Sequence, residues 1–135
     1  MKNMKKILVV EDEKNIRNLV ATMLETEGYQ TIHANSCSSA KTMFNSYLPE
    51  LVILDLGLPD MDGMNFLEFV RKDSLVPIIV LSARTNESDK IAALDSGAND
   101  YVTKPFETKE LVARVKAVLR RTQGPEEEKS DSLSF

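Results

Sequence analysis

The chain is poor in the residues that carry much familiar protein chemistry: one cysteine, one histidine and no tryptophan in 135 residues. A lone Cys37 excludes an internal disulfide. With His33 the single histidine and no base in evidence beside the thiol, Cys37 reads as a small buried filler rather than a nucleophile. No uninterrupted apolar run approaches the roughly 20 residues that cross a bilayer. The opening "MKNMKKILVVEDEKN" has lysines before a short apolar run, as a signal peptide does. The run stops at Glu11-Asp12-Glu13 and no small-residue cleavage site follows, so the segment reads as the first strand of a cytoplasmic protein. A basic excess is also missing. The net charge is −4, which argues against this segment itself gripping DNA. Neither G-x-G-x-x-G nor G-x-x-x-x-G-K-[ST] occurs, and there is no internal repeat.

What is present is an ordinary globular composition, 42% hydrophobic, at a length that fits one domain. Apolar runs fall at 5–10, 29–34, 51–55, 76–82 and 99–103. They are continuous rather than alternating, as in strands buried on both faces of a parallel sheet. Between them, Ile16, Leu19, Val20, Met23 and Leu24 make one helical stripe over 14–27. Leu111, Val112, Val115, Val118 and Leu119 make another over 107–121. Shorter helical patterns cover 36–46, 64–72 and 86–96. Gly28 and Gly97 stand where helix C-terminal glycines belong. The alternation predicts an α/β doubly wound sheet with helices on both faces. After Arg121, "TQGPEEEKSDSLSF" is almost devoid of apolar residues and reads as a linker or tail over 122–135.

In open α/β sheets the reactive groups gather beyond the carboxyl ends of the strands. Strand one ends on Glu11 and Asp12, strand three on Asp55 and strand four on Ser82, while Lys104 and Pro105 follow strand five. Taken singly, each has a bland use: a helix-capping acid, a turn former, a cap, a solvated charge. Tyr101 in strand five would ordinarily be core packing with a wet hydroxyl. Independent bland causes do not explain why all of them stand at carboxyl strand ends. Three crowded carboxylates raise one another's pKa unless cations intervene. Lys104 supplies one positive charge, and Mg²⁺, which favours carboxylate and water oxygens, is the natural supplement. That set suits phosphoryl transfer, with a carboxylate as nucleophile forming an acyl phosphate. Asp55, braced by the Gly57–Pro59 bend, is the best candidate nucleophile.

Asp12, "DLGLPDMDG", "VLSA" and "YVTKPF", in this order and spacing, resemble the receiver domain of two-component response regulators over residues 5 to 121. The resemblance implies a flavodoxin-like (βα)5 fold with sheet order 2-1-3-4-5, and residues 1–121 as the receiver. It implies Asp55 as the site phosphorylated by a sensor histidine kinase. Mg²⁺ would be held by Asp12, Asp55 and the Gly57 carbonyl, with Glu11 acting through water. Ser82 and Tyr101 would be a switch pair, Lys104 a conserved-type lysine, and Lys104-Pro105 a cis peptide. "ESDKIAALDSGANDYVTKPFETKELVARVKAVLRR" is similar to the winged-helix OmpR/PhoB subfamily. That implies a C-terminal DNA-binding domain beyond the linker and phosphorylation-dependent homodimerisation. The dimer would form across a face pairing Lys90 with Glu110, Asp95 with Lys116 and Asp100 with Arg114, around Ile91, Leu94 and Ala113.

Rival readings stand on weaker patterns. A haloacid-dehalogenase-type phosphatase would place a second Asp two residues after Asp55, where this chain has Gly57. A calcium loop on Asp55, Asp60, Asp62 and Gly63 meets leucine at 58 and phenylalanine at 69 where ligands are needed. A free-standing receiver with no DNA-binding output stays open as the alternative.

Overall fold

The computed structural model describes residues 4–132, with side chains described as far as Arg121. Five strands alternate with five helices: β1 (Lys6–Val10), α1 (Lys14–Thr26), β2 (Gln30–Ala34), α2 (Cys37–Tyr47), β3 (Leu51–Leu54), α3 (Met64–Arg71), β4 (Ile78–Ser82), α4 (Glu87–Asp95), β5 (Asp100–Thr103) and α5 (Thr108–Ser132). All strand pairs are parallel and the sheet order is β2-β1-β3-β4-β5, as expected.

The continuous hydrophobicity of the strands is explained by two cores. Alternate residues of β1 and β3, Leu8, Val10, Val52 and Leu54, face α2, α3 and α4 through Ala40, Phe66, Leu67 and Ala93. Their neighbours Ile7, Val9, Leu51 and Ile53 face α1 and α5 through Val20, Leu24, Leu111 and Val115. Burying a strand on both faces leaves polar residues nowhere to go except its ends. That is how the chain's chemistry is pushed to the carboxyl edge.

Several boundaries differ from the sequence expectations for local reasons. Strand 76–82 begins only at Ile78, because Pro77 has no N–H for the ladder; its carbonyl still accepts from Val52 at 2.9 Å. Tyr29 belongs to the close of α1 rather than to a strand. Its amide donates to Leu24 at 3.1 Å while Gly28, at φ +95°, turns the chain. Ser36 caps α2 instead of opening it, accepting from the Ser39 amide at 3.0 Å. The largest difference is in α5, which runs to Ser132 although the apolar stripe ends near Arg121. Pro125 removes one backbone donor from the helical ladder, but the Glu and Lys residues after it have good helix propensity. The apolar stripe therefore marks the packed part of the helix and not its end.

Candidate functional site

Three strand ends build an acidic pocket. Asp55 follows β3 directly, its amide still bonded to the Val10 carbonyl at 2.9 Å. Glu11 follows β1 and is held by Ala34 of β2 in the same way, at 3.0 Å. Both carboxylates are buried, whereas Asp12 is exposed. One carboxylate oxygen of each of the three lies within 4.8 Å of the others. Hard oxygen donors of that charge and spacing fit a divalent cation such as Mg²⁺.

Lys104 enters the pocket from the end of β5, just before the cis Lys104–Pro105 peptide. Its Nζ donates to Glu11 Oε1 at 2.8 Å and to Asp55 Oδ2 at 3.4 Å. The resting ammonium is thus closer to Glu11 than to Asp55. Burial works against the charge of Lys104, but hydrogen bonding to Glu11 and the charge of Asp55 outweigh it and raise its pKa. Burial raises the pKa of Glu11, with Lys104 and the Glu13 amide opposing. Glu11 Oε2 accepts that amide at 3.0 Å, so both oxygens of Glu11 already have partners. Arg17 donates to the Glu11 carbonyl at 2.8 Å, steadying the backbone from below.

Ser82 closes β4, buried, its hydroxyl accepting from the Arg84 amide at 3.1 Å. Tyr101 is 8% exposed, and its hydroxyl donates to the Arg84 carbonyl at 2.8 Å. The ring is therefore already turned inward. The Arg84 side chain reaches across to the Leu56 carbonyl at 3.3 Å and to Asp62 at 3.1 Å. Arg84 thus touches the serine, the tyrosine and the loop after Asp55, a role for which the local sequence carries no signal.

That loop, residues 55–63, is tightly folded. The Gly57 amide donates to Asp55 Oδ1 at 3.2 Å, and Gly63 donates to the Leu56 carbonyl at 2.8 Å. A side chain at Gly63 would bring a Cβ to 2.5 Å from the Asp55 carbonyl oxygen, so only glycine fits. Asp62 Oδ1 caps α3 through the Met64 amide at 2.9 Å. Asp60 reaches the other way, to the start of α2. The two acids that resemble part of a calcium loop are braces.

Four of the six charged residues of the expected dimer face have partners within one chain. Lys90 and Asp95 lie on α4, Asp100 opens β5, and Glu110, Arg114 and Lys116 lie on α5. Within one chain Arg114 donates to both carboxylate oxygens of Asp100, at 3.0 and 2.9 Å, and to Glu110 at 3.0 Å. Asp100 and Glu110 raise its pKa accordingly. Lys116 turns to Glu27 at the end of α1, at 2.8 Å. Asn99, just before Asp100, is used internally: its side-chain oxygen accepts from Arg71 at 3.0 Å and from the Ile78 amide at 2.9 Å.

A doubly wound sheet of this order, with an aspartate at the end of β3 among two more acids and a lysine, defines a receiver. Residues 7–116 match the response regulator receiver domain, and the chain belongs to that family. Among curated relatives it is 50% identical over 118 residues to the KDP operon transcriptional regulatory protein KdpE of Escherichia coli (strain K12), covering 87% of this chain and 52% of that protein. It is 44% identical over 120 residues to the phosphate regulon transcriptional regulatory protein PhoB of the same strain, again 87% and 52%. The chain therefore spans about half the length of these transcriptional regulators. Among solved structures, the BeF3-activated N-terminal receiver domain of RstA from Klebsiella pneumoniae superposes with a TM-score of 0.82 at 30% identity, covering 86% of this chain and 99% of that one. A CheY-like receiver domain protein from Methanospirillum hungatei JF-1 gives 0.86 at 25% identity, covering 91% and 99%. Among the described residues no helix is long and apolar enough to cross a membrane.

Proposed function

We propose that this chain is a phosphorylation-dependent switch in which Asp55 accepts a phosphoryl group from a sensor histidine kinase. The observation that carries this reading is the buried Asp55 carboxylate beside Glu11, Asp12 and the Lys104 ammonium at one carboxyl strand edge. An Asp55 oxygen attacks the phosphorus of the kinase phosphohistidine. The new P–O bond forms as the P–N bond breaks, and the imidazole leaves with the bonding pair. Asp12, Asp55 and the Gly57 carbonyl would hold Mg²⁺, with Glu11 acting through water, and the cation would neutralise charge on the crowded phosphoryl oxygens. Lys104 shifts from its shared position to pair with one of those oxygens. Ser82 turns its hydroxyl to another and gives up the Arg84 amide. Hydrolysis by water returns Asp55 to its free form.

An apolar cavity of about 380 Å³, lined by Ile16, Leu19, Lys104, Pro105 and Phe106, opens beside the site and supports docking of the kinase there. Ile91 and Leu94, both exposed on α4, support a dimer contact on the α4-β5-α5 face. The similarity to transcriptional regulators about twice as long supports a cytoplasmic regulator whose DNA contacts lie in a further domain.

Intact mass after treatment with acetyl phosphate and Mg²⁺ tests the acceptor. The expected result is a gain of one phosphate that is lost in base, and no gain for Asp55→Asn. Full phosphorylation of Asp55→Asn would overturn the assignment.

A further inference from the structure

Asp60 lies five residues beyond Asp55, in the loop that also holds Gly57. Its two carboxylate oxygens accept one amide each from the start of α2: Cys37 to Oδ1 and Ser38 to Oδ2, both at 2.9 Å. Oδ1 also accepts from Met61 at 3.0 Å. Those backbone amides hold the Asp60 carboxyl below its ordinary range, Cys37 contributing most. The Ser36–Ser39 capping box serves two amides of the helix start from its own sequence, with Ser36 Oγ accepting the Ser39 amide and Ser39 Oγ accepting the Ser36 amide at 3.2 Å, and leaves those of Cys37 and Ser38 to Asp60. Asp60 comes from 22 residues away and ties down the loop as much as the helix.

The loop has a second anchor. Asp62 caps α3 and pairs with Arg84, and Gly63 is bonded to Leu56. Gly57 and Leu58 lie between Asp55 and these two anchors. Asp60 thus restrains the far side of their backbone, beside the local bonds from Gly57 to Asp55 and from Leu58 to Leu56. A charged acceptor on two amides makes a stiff tie, because each bond is charge-assisted. α2 carries no residue of the acidic pocket, yet this tie makes it the wall against which the pocket's loop is fixed.

We propose that Asp60 is a positioning residue for the phosphorylation site, holding the Gly57 backbone where the divalent cation and the phosphoryl oxygens need it. The inference rests on the reading of Asp55 and the acidic cluster given above. Supporting residues behind a metal site are worth on the order of tenfold in metal affinity or more.

Calorimetric titration with MgCl₂ on wild type, Asp60→Ala, Asp60→Asn and Ser36→Ala is the test, together with amide hydrogen exchange at Gly57 and Gly63 in the metal-free protein. Asp60→Ala should lose about tenfold in Mg²⁺ affinity. Asp60→Asn keeps one acceptor oxygen and should fall between it and wild type; it carries the test if the alanine variant does not fold. Ser36→Ala strips α2 of its other cap and should bind Mg²⁺ like wild type. Exchange at Gly57 and Gly63 should rise severalfold in Asp60→Ala and stay unchanged in Ser36→Ala. Wild-type affinity in the Asp60 variants, or an equal loss in Ser36→Ala, would overturn the proposal. If wild type bound no Mg²⁺, the reading of the acidic cluster would fail by itself. The exchange measurement would still decide on Asp60, with unchanged protection counting against it.

Discussion

Glu11 and Asp12 are adjacent acids with different freedom. Both oxygens of Glu11 are engaged, one by Lys104 and one by the Glu13 amide. Asp12 is exposed at the mouth of the pocket. A cation entering from solvent therefore meets Asp12 as the available ligand and Glu11 as a buried carboxylate already shared with Lys104 and the Glu13 amide. Asp12→Ala should weaken Mg²⁺ binding by more than Glu11→Ala, by about tenfold relative to it, as read by NMR titration. Equal losses would mean that Glu11 ligates as directly as Asp12. The pair Glu-Asp was legible in the sequence as an acidic strand end. Which of the two is free was not, because it depends on Lys104, 93 residues away. Asp60, Asp62 and Arg84 were illegible for the same reason. Beside local bonds, each has a partner 20 or more residues distant, and no local spacing marks a carboxylate as a brace rather than a turn former.

Elements were more readable than residues, because burial on both faces leaves a periodic trace. β3 shows it well: Leu51, Val52, Ile53 and Leu54 are all fully buried, and the run itself announces the strand. The end of α5 was unreadable for the opposite reason, since beyond Arg121 the sequence has no apolar stripe to follow. The glycines divide in the same way. Gly28 could be placed from sequence because it ends a helix, and a Cβ there meets nothing within 4 Å. Gly63 looks like another bend glycine, yet it is the point where α3 and the Asp55 loop touch backbone to backbone. Gly28→Ala should therefore cost only the strain of its left-handed φ, about 1 kcal/mol. Gly63→Ala should cost about 2–3 kcal/mol, since backbone cannot yield as a side chain can. Urea unfolding of the two variants separates them. Gly63→Ala should also impair acceptance of phosphate, because the atom it strikes is the carbonyl of Asp55.

At the scale of the whole molecule the question is how the pocket's state reaches a second copy. Four of the expected dimer-face charges are already paired within one chain: Arg114 with Asp100 and Glu110, Lys116 with Glu27. Exchanging one ion pair for another across a two-fold axis would gain little, since exposed ion pairs are each worth about 0–1 kcal/mol. In the proposed dimer the charges would set register and exclude mismatched partners, while the exposed Ile91 and Leu94 would supply the apolar centre. Sedimentation velocity with and without beryllofluoride should show wild type passing from monomer to dimer. Arg114→Asp should remain monomeric, because it places three acids together in each copy. Equal dimerisation of Arg114→Asp would remove that arginine from the interface. The buried Tyr101 bears on the same transition. With the ring already inward, the proposed switch would need less than a full rotamer change, and some dimer should form without the mimic at high protein concentration.

Every strand delivers its carboxyl end to the reactive pole, and α5 runs back from that pole antiparallel to β5. Its 25 residues span roughly 37 Å at 1.5 Å per residue. Screening in physiological salt damps the pull of a surface charge over a length of about 8 Å. A phosphate on Asp55 would therefore be largely screened at the far end of α5, and under the proposed function stoichiometry would have to carry the signal there. The far end of the molecule would read the chemistry by counting how many copies are held side by side.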